Sequence, residues 1–89
     1  MVKLSKLRED TNKILTKAMT VKILEKGSWT GKLQKMVRLS VADKSRACQL
    51  VCFNKAHDSK LKVGNTIMLT NYYYYDRHVV VRKNTKVYK

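Results

Sequence analysis

Proline is absent from this 89-residue chain, and glycine occurs only at Gly27, Gly31 and Gly64. That excludes a flexible or proline-rich linker, and the length allows one domain with a small core. Acidic residues are scarce, with six Asp plus Glu against twenty Lys plus Arg. Glu9, Asp10, Glu25, Asp43, Asp58 and Asp76 form no pair at a spacing suited to acid–base catalysis. Glu9-Asp10 is a local cluster, and Asp43 and Asp76 read as turn residues. A Gly-rich phosphate loop, a nucleophile elbow and a His-Glu metal motif are also missing. His57 and His78 have no evident catalytic partner. The expectation is a binder rather than an enzyme, with no cofactor.

Cysteine is limited to Cys48 and Cys52. On a strand their spacing puts both thiols on one face but roughly 13 Å apart, too far for a disulfide. Two small buried apolar residues are the simpler reading. A zinc site using Cys48, Cys52, His57 and His78 has enough ligands but lacks the usual closely spaced pairs, so no metal is expected. Residues 1–17 are too polar for a secretory signal, and no stretch approaches the length of a membrane span. An intracellular protein is the default, nuclear if the source is eukaryotic.

What the chain has in excess is positive charge, formally +14. It runs from Lys3 through Lys22, Arg38 and Lys62 to Lys89, so the folded body carries it. Such a field attracts polyanions: nucleic acid first, then heparin-like polymers or an anionic membrane surface, then an acidic protein. At 44% hydrophobic the chain can still fold around a core.

Residues 1–17 form a lead-in that is either extended or a short helix; Leu4, Leu7, Thr11, Ile14 and Ala18 make a weak helical stripe. From residue 18 the period becomes two. Residues 18–26 alternate around Met19, Val21 and Ile23, and residues 33–42 around Val37, Leu39 and Val41. Residues 47–54, 65–75 and 78–83 complete five strands. "GSWTGK" is a loop with an aromatic at its tip, and "DKSR" is a turn. Residues 54–64 are a loop or short helix tethered by Leu61 and Val63. This spacing predicts an all-β domain over residues 18–89. Five strands with one irregular connection between the third and fourth suggest a Greek-key OB-fold barrel, with an SH3-like barrel as competitor.

"LSVADKSRACQLVCFN", followed by "KVGNTIMLTNYYYY", resembles the single-OB DNA-binding proteins of archaea and animals and the OB domains of replication protein A. The likeness covers residues 37 to about 82. It implies an OB barrel that binds single-stranded DNA, and it puts Phe53 where the third strand's stacking aromatic lies. Tyr72 stands where the family often has a glycine, and the loop between strands 4 and 5 is shorter.

Single-strand binding needs a basic groove for phosphates and exposed aromatic faces for bases. Alternation turns Cys48, Leu50 and Cys52 inward and Gln49, Val51 and Phe53 outward. On the fourth strand Ile67 and Leu69 are inward, which carries Asn71, Tyr73 and Tyr75 inward and leaves Tyr72 and Tyr74 beside Phe53. A three-residue hairpin, Tyr75-Asp76-Arg77, would pair Tyr73 with Val79 and put Tyr75 at the loop tip. The resemblance places the family's strand-4 aromatic nearer Tyr73, through a bulge that would exchange these roles. Trp29 either plugs the barrel end or stacks on a ligand.

The expected nucleic-acid-binding set is therefore Phe53, Tyr72, Tyr74, Tyr75 and Trp29 for stacking, with Lys35, Arg38, Lys44, Arg77 and Arg82 for phosphate. The expected partner is single-stranded DNA or RNA, bound with weak sequence preference. A protein-binding adaptor is the alternative, using outward Met36, Val51 and Val80.

Overall fold

Alternation becomes structure in the central meander of a computed structural model that describes residues 3–7 and 10–89, the side chains of residues 10–13 excepted. Met19, Val21 and Ile23 enter the core from β2 (Met19–Lys26), and Val37, Leu39 and Val41 from β3 (Val37–Ala42). Leu50 and Cys52 do so from β4 (Ala47–Cys52). β-Branched residues suit such a half-buried pleated surface. Each aliphatic side chain fully buried contributes about 1.5–3 kcal/mol. β3 pairs antiparallel with both β2 and β4, and a register shift between Ile23 and Glu25 bends β2.

β5 (Thr66–Thr70) runs antiparallel to the other side of β2, with Leu69 opposite Met19 and Ile67 opposite Val21. After Asn71 alone the chain resumes as β6 (Tyr72–Tyr75), which pairs with β7 (His78–Val81). β7 lies parallel to β4, placing Val79 beside Leu50 and Val81 beside Cys52. The order along the sheet is β1-β6-β7-β4-β3-β2-β5-β8. Because β5 and β6 are consecutive, the sheet curls until strands near its opposite ends are joined by one residue.

The expected five strands become eight among the described residues. The predicted fourth strand is split at Asn71, and two short edge strands are added. β1 (Asp10–Leu15) pairs with β6, and β8 (Lys86–Tyr88) pairs with β5. In the lead-in, Leu4–Lys6 form a 3₁₀ turn rather than part of a helical stripe, and Leu4 enters the core. Residues Lys55–Lys60 form a second 3₁₀ helix, followed by Leu61 in the core. Val63, the other expected tether, is exposed.

Candidate functional site

The site begins with the backbone of Asn71. Its φ is +59°, a left-handed conformation that asparagine tolerates better than most residues. Thr85 holds it there: the buried Thr85 hydroxyl donates to the Asn71 carbonyl at 2.7 Å and accepts from the Arg82 N–H at 3.0 Å. One left-handed residue breaks the alternation, so everything after it faces the opposite way.

The tyrosine assignment is thereby reversed. Tyr72 and Tyr74 are buried, at 0% and 5% exposure, and Tyr73 and Tyr75 are the half-exposed pair. The hairpin register changes too. Asp76 and Arg77 both have positive φ, 52° and 59°, and make a two-residue turn that pairs Tyr75 with His78, Tyr74 with Val79 and Tyr73 with Val80. A primed turn matches the twist of the flanking strands. Tyr72 and Tyr74 therefore offer no ring face to a ligand, and Tyr73 is not the core residue.

The outer face that results is coherent. Phe53 follows β4, its backbone N–H donating to the Val81 carbonyl at 3.0 Å. The Arg82 guanidinium carbon lies 5.7 Å from the ring centres of both Phe53 and Tyr73, within cation–π range. Arg82 Nη2 also donates to the Tyr75 hydroxyl at 2.8 Å. Three aromatic side chains, two from β6 and one from the residue after β4, thus converge on one planar cation.

Two clefts flank this cluster and share Phe53. One, of about 170 Å³, is lined by Met36, Arg38, Val51, Tyr75, Asp76, His78 and Val80. The other, of about 580 Å³, is lined by Gln34, Asn54, Tyr73, Arg82, Lys83 and Asn84. Phe53, Tyr75, Arg38 and Arg82 are thus brought together as expected residues, and Tyr73 joins them. Val51 and Val80 do face outward, but at 7% and 2% exposure they are covered by their neighbours. They supply floor rather than an open apolar patch.

The other expected residues fall elsewhere. Trp29 packs against the core, and its Nε1 donates to Asp58 Oδ1 at 2.7 Å. The same oxygen accepts from Lys26 Nζ at 2.6 Å. Those bonds, Lys26 first and then Trp29, hold the Asp58 carboxyl below its usual range. Trp29 lines neither cleft. Lys35 is exposed in the loop beside Gln34, and Arg77 is exposed in the hairpin turn next to Asp76. Lys44 lies in a different, larger cleft of about 700 Å³, with Lys3, Lys22 and Leu24.

That larger cleft abuts the tether of the N-terminal turn. Asp43 Oδ2 accepts from the Leu4 N–H at 2.8 Å, while Oδ1 accepts from the Ser45 hydroxyl and from the N–H groups of Ser45 and Arg46. Partial burial raises the Asp43 pKa, but these donors outweigh it and the net direction is down. Cys48 and Cys52 are free thiols, both pushed up by burial. Among the described residues, no three or more His, Cys, Asp or Glu gather to hold a metal ion. No helix among them is long and apolar enough to cross a membrane.

No family model matches the chain, and no curated protein matches it. Solved structures do. The Ifi202 HINa domain, in complex with 20-base-pair dsDNA, superposes with a TM-score of 0.81 at 20% identity, over 85% of this chain and 41% of that one. The p202 HIN1 domain, in complex with 12-mer dsDNA, gives 0.80 at 20% identity, over 97% and 45%. A replication protein A heterotrimer bound to ssDNA gives 0.77 at 12% identity, over 100% of this chain and 24% of that one. The likeness establishes an OB-fold. The chain spans less than half the length of each of these matched chains.

In that fold the faces of strands 2 and 3 and the loops 1–2 and 4–5 surround the usual ligand. β3 and β4 occupy the positions of strands 2 and 3 here. The Gln34 loop is loop 1–2, and Asp76-Arg77 is loop 4–5. Strict alternation put Tyr73 inward, whereas the bulge implied by the family resemblance put it outward, and Asn54, Lys83 and Asn84 were not anticipated. An asparagine inside a β-patterned run was the available signal for the reversal.

Proposed function

We propose that the chain binds single-stranded nucleic acid across the outer face of β3, β4, β6 and β7. The observation that carries this is the convergence of Phe53, Tyr73 and Tyr75 on Arg82, on a chain with a formal charge of +14. Bases stack on the two rings that now hold the guanidinium, and Arg82 follows them as a planar cation or turns to phosphate. Arg38, Lys83, Lys35 and Arg77 surround the track with positive charge. Stacking contributes ~1–3 kcal/mol per base and tolerates any sequence. The reading is of a binder rather than an enzyme, supported by fold neighbours that were solved bound to DNA.

Duplex DNA is a second reading, supported by the fold neighbours solved with dsDNA. Lys3, Lys22 and Lys44, away from the aromatic cluster, would suit backbone contacts. The adaptor reading loses support, because Val51 and Val80 are covered.

The test is a binding titration of single-stranded DNA, duplex DNA and single-stranded RNA at two salt concentrations. The proposal expects preferential single-strand binding, tyrosine quenching, and a steep loss of affinity with salt. Equal affinity for duplex and single strand, independent of the aromatic residues, would favour the duplex reading.

A further inference from the structure

The 580 Å³ cleft beside Phe53 and Tyr73 carries more than stacking requires, since Gln34, Asn54 and Asn84 bring three side-chain amides to it. Three separately held segments deliver them. Gln34 comes from the loop before β3, closed by the paired Thr30 and Met36 backbones at 2.8 Å. Gly31 in that loop has φ +113°, and a Cβ there would stand 2.2 Å from the Gln34 carbonyl oxygen, so the loop needs glycine. Lys83 and Asn84 sit in a turn closed by the Thr85 N–H donating to the Arg82 carbonyl at 3.0 Å.

Asn54 has a fixed polarity. Its Oδ1 accepts from the Ala56 N–H at 3.0 Å, capping the Lys55–Lys60 helix. Only the amide oxygen can accept, so the bond fixes which end of the amide is Oδ1, and Nδ2 keeps its two donors for a ligand. Arg82 and Lys83 add donors and no acceptors. The groups of this cleft whose polarity is set, Asn54 Nδ2, Arg82 and Lys83, are therefore hydrogen-bond donors beside two aromatic rings, while the Gln34 and Asn84 amides can turn either end to a ligand.

We infer that the cleft is a base-reading subsite for keto bases, guanine and thymine or uracil, within the single strand proposed above; the inference rests on that reading. At the exocyclic position guanine O6 and thymine O4 are acceptors, whereas adenine N6 and cytosine N4 are amino groups that meet donors head-on; N7 is common to both purines and does not discriminate. A preference at one nucleotide is thus superimposed on a sequence-tolerant track.

Fluorescence anisotropy would compare oligo(dT), oligo(dA), oligo(dC) and an oligo(dA) carrying isolated guanines, using the wild-type chain and Asn54→Asp. Aspartate keeps the acceptor for Ala56 and is a favourable cap, but it replaces both donors with an acceptor. The wild type is expected to bind the keto-containing strands about tenfold tighter than oligo(dA) and oligo(dC). Asn54→Asp is expected to bring that ratio close to one while weakening every strand through its added negative charge. A ratio near one in the wild type, or one unchanged in Asn54→Asp, overturns base reading and leaves the stacking site standing. Failure of the wild type to bind any strand removes both.

Discussion

The Thr85 hydroxyl donates to the Asn71 carbonyl at 2.7 Å, and this contact holds the residue at which the tyrosine run changes face. A side chain from the turn after β7 thereby settles which aromatics reach the surface. Thr85→Val removes the donor and leaves buried polar groups unpaired, a loss of about 1–3 kcal/mol. Urea unfolding should show a lower midpoint, and nucleic-acid affinity should fall as Tyr73 and Tyr75 lose their orientation.

Asn71 itself should accept glycine and reject valine. Glycine adopts φ +59° without penalty, whereas a β-branched residue there costs roughly 1–2 kcal/mol or more. Thermal melts of Asn71→Gly and Asn71→Val should separate in that order.

Tyr72 offers a prediction of opposite sign. Its hydroxyl is buried without a hydrogen-bond partner among the described residues, and burial pushes its pKa up to about 12. Tyr72→Phe should therefore stabilise the protein, by about 1 kcal/mol. In the wild type the neutral phenol is favoured by folding, so its contribution is complete below pH 10 and is lost as pH rises towards 12. A spectrophotometric titration should show one tyrosine ionising late, and Tyr72→Phe should abolish that step.

Acid should destabilise the fold in two stages. Burial lowers the His57 pKa from 6.5, and the hydrogen bonds described above bring the Asp43 pKa below 3.8. For both, the folded value is depressed, so stability is present above the unfolded pKa and is lost as pH falls through the folded one. Loss should begin below about pH 6.5 and resume below about pH 4. Asp43→Ala should shrink the second stage, leaving the share of Asp58, whose carboxyl is also held low, and should free the N-terminal turn, at about 1 kcal/mol, because solvent screens this partly exposed carboxylate. Urea unfolding between pH 3 and 7 measures both stages.

Much of the fold was legible because apolar residues recur at every second position over Met19–Ile23 in β2 and Val37–Val41 in β3, and at Leu50 and Cys52 in β4, so Val21, Leu39 and Leu50 could be placed inward from sequence. The same rule misplaced the tyrosines because alternation is blind to a single left-handed residue. Neither Asn71 nor the Asp76-Arg77 turn carries the glycine that usually marks one. Arginine at φ 59° has no sequence signature; the hydrogen-bonded strands around it impose it. β1 was obscured because "DTNKIL" has no apolar alternation, and its place comes from pairing with β6. Phe53 and Arg82 were legible because each directly follows a strand, β4 and β7, whose parity no left-handed residue disturbs.

The central claim is that bases stack on Phe53 and Tyr73. The most direct test is the affinity of Phe53→Ala/Tyr73→Ala for oligo(dT) at one fixed salt concentration, beside the wild type and Tyr72→Phe. Two lost stacking platforms should weaken binding on the order of a hundredfold or more, with Tyr72→Phe unchanged. A folded double variant that binds as tightly as the wild type would contradict the account.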